Sequence, residues 1–191
     1  MRGFIGIDLE TTGLDVDSDI LEMGAVLFDH KLKEVDYVEV LGPTDAGVQR
    51  VHNDDLDPFI RDMHTKSGLI DEINSMKEWN KDGLERFTHV VSHWVENLGG
   101  KVPMLGSSVH MDRQWLAHHF PEIHDMFSYR NIDASSFKEL AMTSNPEPAE
   151  RLLAHVLPKQ ASHRAIDDVR ASASTIRVLA GRSWITAGAI R

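Results

Sequence analysis

Apolar and polar positions change period several times along this chain, and the changes mark its elements. Gly3 to Leu9 is short, apolar and partly β-branched, which predicts a buried strand. Asp8 and Glu10 lie two apart, so on a strand they share one face while Ile7 and Leu9 take the other. Thr11 to Leu14 breaks that strand, and Asp15, Asp17, Ser18 and Asp19 make a polar turn. The apolar run Ile20–Phe28 predicts a second strand and Lys33–Leu41 a third, joined at Asp29–Lys31 by a hairpin turn, so the three form an antiparallel meander. Residues 43–75 are polar and irregular, a length that predicts a functional segment or a small helical insertion. From Met76 to Leu98, Trp79, Leu84, Phe87, Val91, Trp94, Val95 and Leu98 recur at threes and fours, predicting a helix closed by Gly99-Gly100. Beyond it the pattern predicts strands at Val102–Ser107 and Tyr129–Ile132. Helices are predicted at Met111–Phe120, Ser135–Met142, Arg151–Leu157 and Arg164–Leu179, with SNPEP at 144–148 as a loop.

At 191 residues the chain suits one domain with a substantial core. No apolar run approaches the roughly 20 residues needed to cross a bilayer, and the N-terminal MRGFIGIDLE does not read as a signal peptide. Cysteine is absent, which removes disulfides, thiolate metal sites and cysteine nucleophiles and is compatible with a cytoplasmic location. The net charge of −10 weighs against a protein that grips long nucleic acid through many Lys and Arg contacts. A protein of this charge that acts on nucleic acid must rely on bound cations and a few chosen donors, which favours short substrates.

The candidate chemistry lies in four acids and one histidine: Asp8 and Glu10, Asp112 in GSSVHMDRQWL, and His163 with Asp168 in SHRAIDDVRAS. Mg²⁺ and Mn²⁺ prefer such oxygen ligands, and two ions about 4 Å apart can activate a water and neutralise a leaving oxyanion. Asp8 and Glu10 could bridge two ions, with Asp112 and Asp168 completing the cage from helix starts. His163 and Asp168 are five positions apart, about 140° around a helix. His163 therefore belongs on the turn before the helix, where it could take a proton from the attacking water. Each signal has a bland alternative: a solvated strand end for Asp8 and Glu10, dipole-complementing acids at helix starts for Asp112 and Asp168. Their ordered conjunction points to phosphodiester hydrolysis. The chain has no HExxH, Walker-type, GxSxG or GxGxxG motif.

DLETTGL, the later Asp112 and HRAIDD together resemble the three motifs of the DEDDh 3′→5′ exonucleases. HTKSGL at 64–69, GSSVHMDRQWL at 106–116, YRNIDASSFKEL at 129–140 and HRAIDDVRAS at 163–172 narrow the resemblance to oligoribonucleases. The resemblance implies an α/β, ribonuclease-H-like fold with a mixed five-stranded sheet flanked by helices, in one exonuclease domain over residues 1–180 with a tail at 181–191. It implies a 3′→5′ exoribonuclease that degrades dinucleotides and very short RNA to nucleoside 5′-monophosphates with two Mg²⁺ or Mn²⁺ ions. By motif position, Asp8, Glu10, Asp112 and Asp168 hold the metals and His163 is the base. Leu14 wedges between bases, His64 lines the substrate site, and Ser108, Arg130 and Ser135 cap the 5′ phosphate. Tyr129 reaches into a partner subunit's site, implying a homodimer. A cap that closes the site after about two nucleotides needs no long basic groove, and Arg130 can grip a phosphate bidentately. The chain departs from the usual oligoribonuclease pattern at Thr11, Ser107, His110 and Met111. The alternatives are a related exonuclease that trims longer single strands, against which the cap residues argue, and a non-catalytic binding protein, against which the five filled catalytic positions argue.

Overall fold

A computed structural model describes residues 2–157 and 162–180; the expectation for the 181–191 tail falls outside the described residues. Strands β1 (Gly3–Thr11), β2 (Ile20–Asp29), β3 (Glu34–Leu41), β4 (Met104–Gly106) and β5 (Asn131–Asp133) form one sheet in the order β3-β2-β1-β4-β5. β1, β2 and β3 make the expected antiparallel meander, while β4 adds parallel to β1 and β5 parallel to β4. The sheet is thus mixed and five-stranded, as the resemblance implies.

One sheet face packs Ile5, Ile7 and Leu9 of β1 under α4 (Lys81–Asn97), α5 (His110–His119) and α6 (Pro121–His124), with Phe87, Val91, Trp94, Trp115 and Ile123 in the same cluster. The other face packs Val26, Phe28 and Leu105 under α7 (Ala134–Ser144) and α9 (Ala165–Ala180), through Ala134, Ile166, Val169 and Ala173. Glycines set the second spacing. A Cβ on Gly6 would lie 2.5 Å from Val169 Cγ1, and one on Gly24 would lie 2.8 Å from the Ile166 nitrogen and 2.9 Å from the Ala165 carbonyl carbon. Because Gly24 stands opposite Asp8 in the strand register, this close approach lays the start of α9 directly on the strand pair that carries the acids.

Residues 43–75 are a helical insertion: α1 (Asp45–His52), α2 (Pro58–Lys66) and α3 (Leu69–Asn74). Thr44 caps α1 through the Gly47 N–H, and Asp57 caps α2 with Pro58 in its first turn. α2 buries His64 alone, so it shows almost no apolar stripe from which its period could be read. The helix predicted from Met76 starts later, at Lys81, where the Asn80 side chain accepts from the Gly83 N–H. The loop predicted at 144–148 is instead the entry to α8 (Pro146–Leu153), since proline is tolerated in a first helical turn where its missing N–H has no partner to lose. Among the described residues no helix is long and apolar enough to cross a membrane.

Candidate active site

The acids converge where β1 outruns β4. Pairing between β1 and β4 ends at Gly6↔Leu105, so the Leu9 N–H, pointing away from β2, lies past the end of that ladder. Asp112, buried in the first turn of α5, accepts from it at 3.1 Å. That single bond draws Asp112 onto the backbone between Asp8 and Glu10. From the opposite layer comes Asp168, in the first turn of α9, whose Oδ1 accepts from Ser162 Oγ at 3.3 Å. His163 sits on the turn before α9, as its spacing requires, with a left-handed φ of 50°. One potential ligand atom from each of Glu10, His163 and Asp168 lies within 4.8 Å of the others, a group able to hold a cation.

Burial and mutual repulsion push the carboxyls upward. Glu10 rises to about 8, first from burial and then from Asp168, Glu22 and Asp112, with Arg164 opposing. Asp112 also rises to about 8 through burial, against the backbone hydrogen bonds that lower it. Asp8 is raised by burial and then by Asp112, Glu10 and Asp168, and Asp168 is raised by burial while His163 pulls it down. Native carboxyls held above their unfolded pKa near 4 bind protons more tightly folded than unfolded. Without metal, stability from this cluster is therefore present below about pH 4 and is lost as pH rises toward about 8. A divalent cation reverses the balance. Mn²⁺ or Mg²⁺ at a hundred times its Kd should stabilise the fold by about 2.7 kcal/mol, with a larger rise in Tm near pH 8 than near pH 5. Thermal melts with and without EDTA test this, and a metal effect equal at both pH values would contradict it.

The remaining expected site residues fall around this cluster. Leu14, 76% exposed, lines a groove of about 580 Å³ with Thr12, Gly13, Arg50, Ile60 and Phe59, itself 73% exposed. Sequence reading missed Phe59, though an aromatic beside the proline of a capped helix start was its available signal. His64, expected to line the substrate site, is fully buried. Its Nε2 bonds the Thr11 carbonyl at 3.1 Å, Nδ1 lacks a hydrogen-bond partner, and that nitrogen lies 3.8 Å from Glu10 Oε2. Burial lowers its pKa, which favours a neutral ring whose Nε2–H donates to Thr11.

On the other side, Ser107, Ser108 and Ser135 bring their hydroxyls together, 2.8 Å from Ser107 to Ser135 and 3.1 Å from Ser108 to Ser135. Asp133, also missed, builds this cluster: one carboxylate oxygen caps α7 through the Ser135 N–H at 2.8 Å and accepts from the Ser108 N–H at 3.0 Å. Ser108 is held at φ 53°, so two of the four non-glycine residues with positive φ among the described residues belong to this site. Arg130 stacks on Tyr129 at 4.6 Å, and Tyr129 is 80% exposed. Arg113 fixes the loop that carries both, donating to the Ser128 and Arg130 carbonyls and to Asn131 Oδ1.

The family profile described as an exonuclease, RNase_T, matches residues 5–175. The oligoribonuclease of Acinetobacter baylyi is 35% identical over 179 residues, covering 91% of this chain and 90% of that protein. The oligoribonuclease of Vibrio vulnificus is 31% identical over 182 residues, 92% of each. The chain belongs to the oligoribonuclease family. It is a nuclease, a hydrolase of phosphodiester bonds with 3′→5′ exoribonuclease activity. Among solved structures, exonuclease I of Methylocaldum szegediense superposes with a TM-score of 0.65 and 15% identity over 96% of this chain. Another exonuclease I structure, from a study of processivity, superposes with a TM-score of 0.68 at 15% identity. The chain spans about two-fifths of the length of those proteins, and the likeness is one of ribonuclease-H-like fold.

Proposed function

We propose that residues 1–180 form one exonuclease domain that removes nucleotides from 5′-phosphorylated RNA of dinucleotide size, yielding nucleoside 5′-monophosphates. Asp8, Glu10, Asp112 and Asp168 suit two hard divalent cations, Mg²⁺ or Mn²⁺. Burial first, and then neighbouring acids, raises all four carboxyls, a cost that bound cations would relieve. When bound, such ions polarise the phosphate and ease formation of the attacking hydroxide. His163 accepts the proton of the attacking water. Leu14 and Phe59 hold the bases in their shared groove, and the buried His64 ring closes the site beneath Glu10.

The observation that carries the short-substrate reading is the serine cluster. Its three hydroxyls meet at the start of α7, an 11-residue helix, where each can donate to a phosphate oxygen. Arg130 on the neighbouring loop adds a cation. Ser108, Arg130 and Ser135 thus read as a cap on a 5′ phosphate, and Ser107 of the same cluster shares a cavity of about 320 Å³ with Asp8 and Asp168, a space that suits a short RNA. Tyr129, exposed beside the cap, acts on a second copy of the chain in a homodimer, and the enzyme works in the cytoplasm.

Arg130→Ala should reduce kcat/KM on a 5′-phosphorylated diribonucleotide by about tenfold to a hundredfold, the worth of a charge-assisted phosphate contact. A seven-residue RNA should lose much less. Parallel assays over a length series of RNA and DNA, with each metal, measure this; equal losses at both lengths would rule out the cap.

A further inference from the structure

Glu22 has no part in the expected site, yet it is 2% exposed and stands opposite Glu10 across the β1–β2 pair. Its carboxylate is fully engaged. Arg164 Nε lies 3.1 Å and 3.3 Å from its two oxygens, Arg164 Nη2 lies 2.8 Å from Oε1, and the Ala165 N–H donates to Oε2 at 3.0 Å. The same guanidinium reaches across to α3, where Nη1 and Nη2 meet the two Glu72 oxygens at 2.7 Å and 3.1 Å. Arg164 directly follows His163, whose left-handed backbone is costly for a side-chain-bearing residue and persists only where its surroundings hold it. A buried ion network is weak support for stability, since desolvation offsets much of the attraction. This one joins three separate parts of the site: the strand beside Glu10, the turn bearing His163, and the helical insertion whose α2 places His64 beneath Glu10.

We propose that Glu22, Arg164 and Glu72 form a latch that holds the His163 turn over Glu10 and Asp168 and ties it to the helical insertion, which makes all three positioning residues for hydrolysis. The proposal rests on His163 being the proton acceptor. A latch of this kind acts on kcat: the insertion that lines the groove stays held to the sheet by the buried cluster of Leu21, Val48, Val51, Leu69 and Ile73, so loss of the latch misplaces the base and leaves the groove in place. A displacement near 1 Å can cost on the order of 100-fold in rate.

Glu72 is half-exposed, so Glu72→Gln should fold and keep the native Tm within a few degrees. Kinetics on the 5′-phosphorylated diribonucleotide with Mn²⁺ should show kcat lowered about tenfold and KM changed less than about twofold. Arg164→Lys, which keeps the charge but loses the planar fork that serves both carboxylates, should lower kcat further. In a His163→Ala background, Glu72→Gln should cost nothing more, because the group it positions is gone. An undiminished kcat in both Glu72→Gln and Arg164→Lys, with His163→Ala inactive, would sink the latch and leave the base assignment standing. A full additional loss in the double variant would also sink it, by showing that the network acts elsewhere. If His163→Ala alone keeps full activity, the base reading fails first and the latch falls with it.

Discussion

Asp112→Asn should lower kcat by at least ~10³-fold while the protein stays folded. The charge on Asp112 is one of four that suit it to divalent cations, and a metal's stabilisation of developing charge is worth several kcal/mol, or ~10³ in rate. Asparagine is the informative substitution because its amide oxygen can still accept the Leu9 N–H that anchors Asp112 at 3.1 Å. Alanine would lose that anchor as well and confuse chemistry with packing. The stability of the metal-free variant should move the other way. Removing one buried carboxyl from a cluster in which Glu10 is pushed up to about 8 relieves repulsion, so Tm in EDTA near pH 8 should equal or exceed that of the parent. The Mn²⁺-induced rise in Tm should shrink. A variant that retains both activity and the full metal response would show that Asp112 is not a metal ligand.

The carboxylates and His163 were legible in the sequence because their chemistry constrains residue type and local geometry together. Asp8 and Glu10 needed only the two-residue period of a strand, and His163 only the mismatch between five positions and a helical turn. The sheet's meander was legible for the same reason, since β1 and β2 are long and strongly apolar and β3 follows them directly. What sequence left dark is fixed by tertiary contact. Glu22 reads as an ordinary acid in an apolar strand, and only the register opposite Glu10 and the approach of Arg164 give it a role. Gly24 looks like a flaw in a strand until α9 is seen resting on it. The three-residue strands β4 and β5 carry too little pattern to set their ends. Ser107 shows the limit in another form. As a departure from the usual pattern it carried no predicted role, whereas in the fold its hydroxyl joins those of Ser108 and Ser135.

His163→Ala should also be severely impaired, by about 10²- to 10⁴-fold in kcat, the range for loss of a positioned general base. What separates it from Asp112→Asn is the metal. His163 has a ring nitrogen within 4.8 Å of ligand atoms on both Glu10 and Asp168, close enough to serve either as a base or as a ligand itself. A base leaves the carboxylates to hold the ions, so the Mn²⁺-induced rise in Tm should survive in His163→Ala while turnover is lost. KM should stay within about twofold, because the groove at Leu14 and the serine cluster lie outside the turn that carries the ring. Loss of the metal response together with activity would instead make His163 a ligand, and the proton of the attacking water would need another acceptor. Calorimetry of Mn²⁺ binding to the parent and both variants distinguishes the two outcomes, with Asp112→Asn as the control expected to bind weakly.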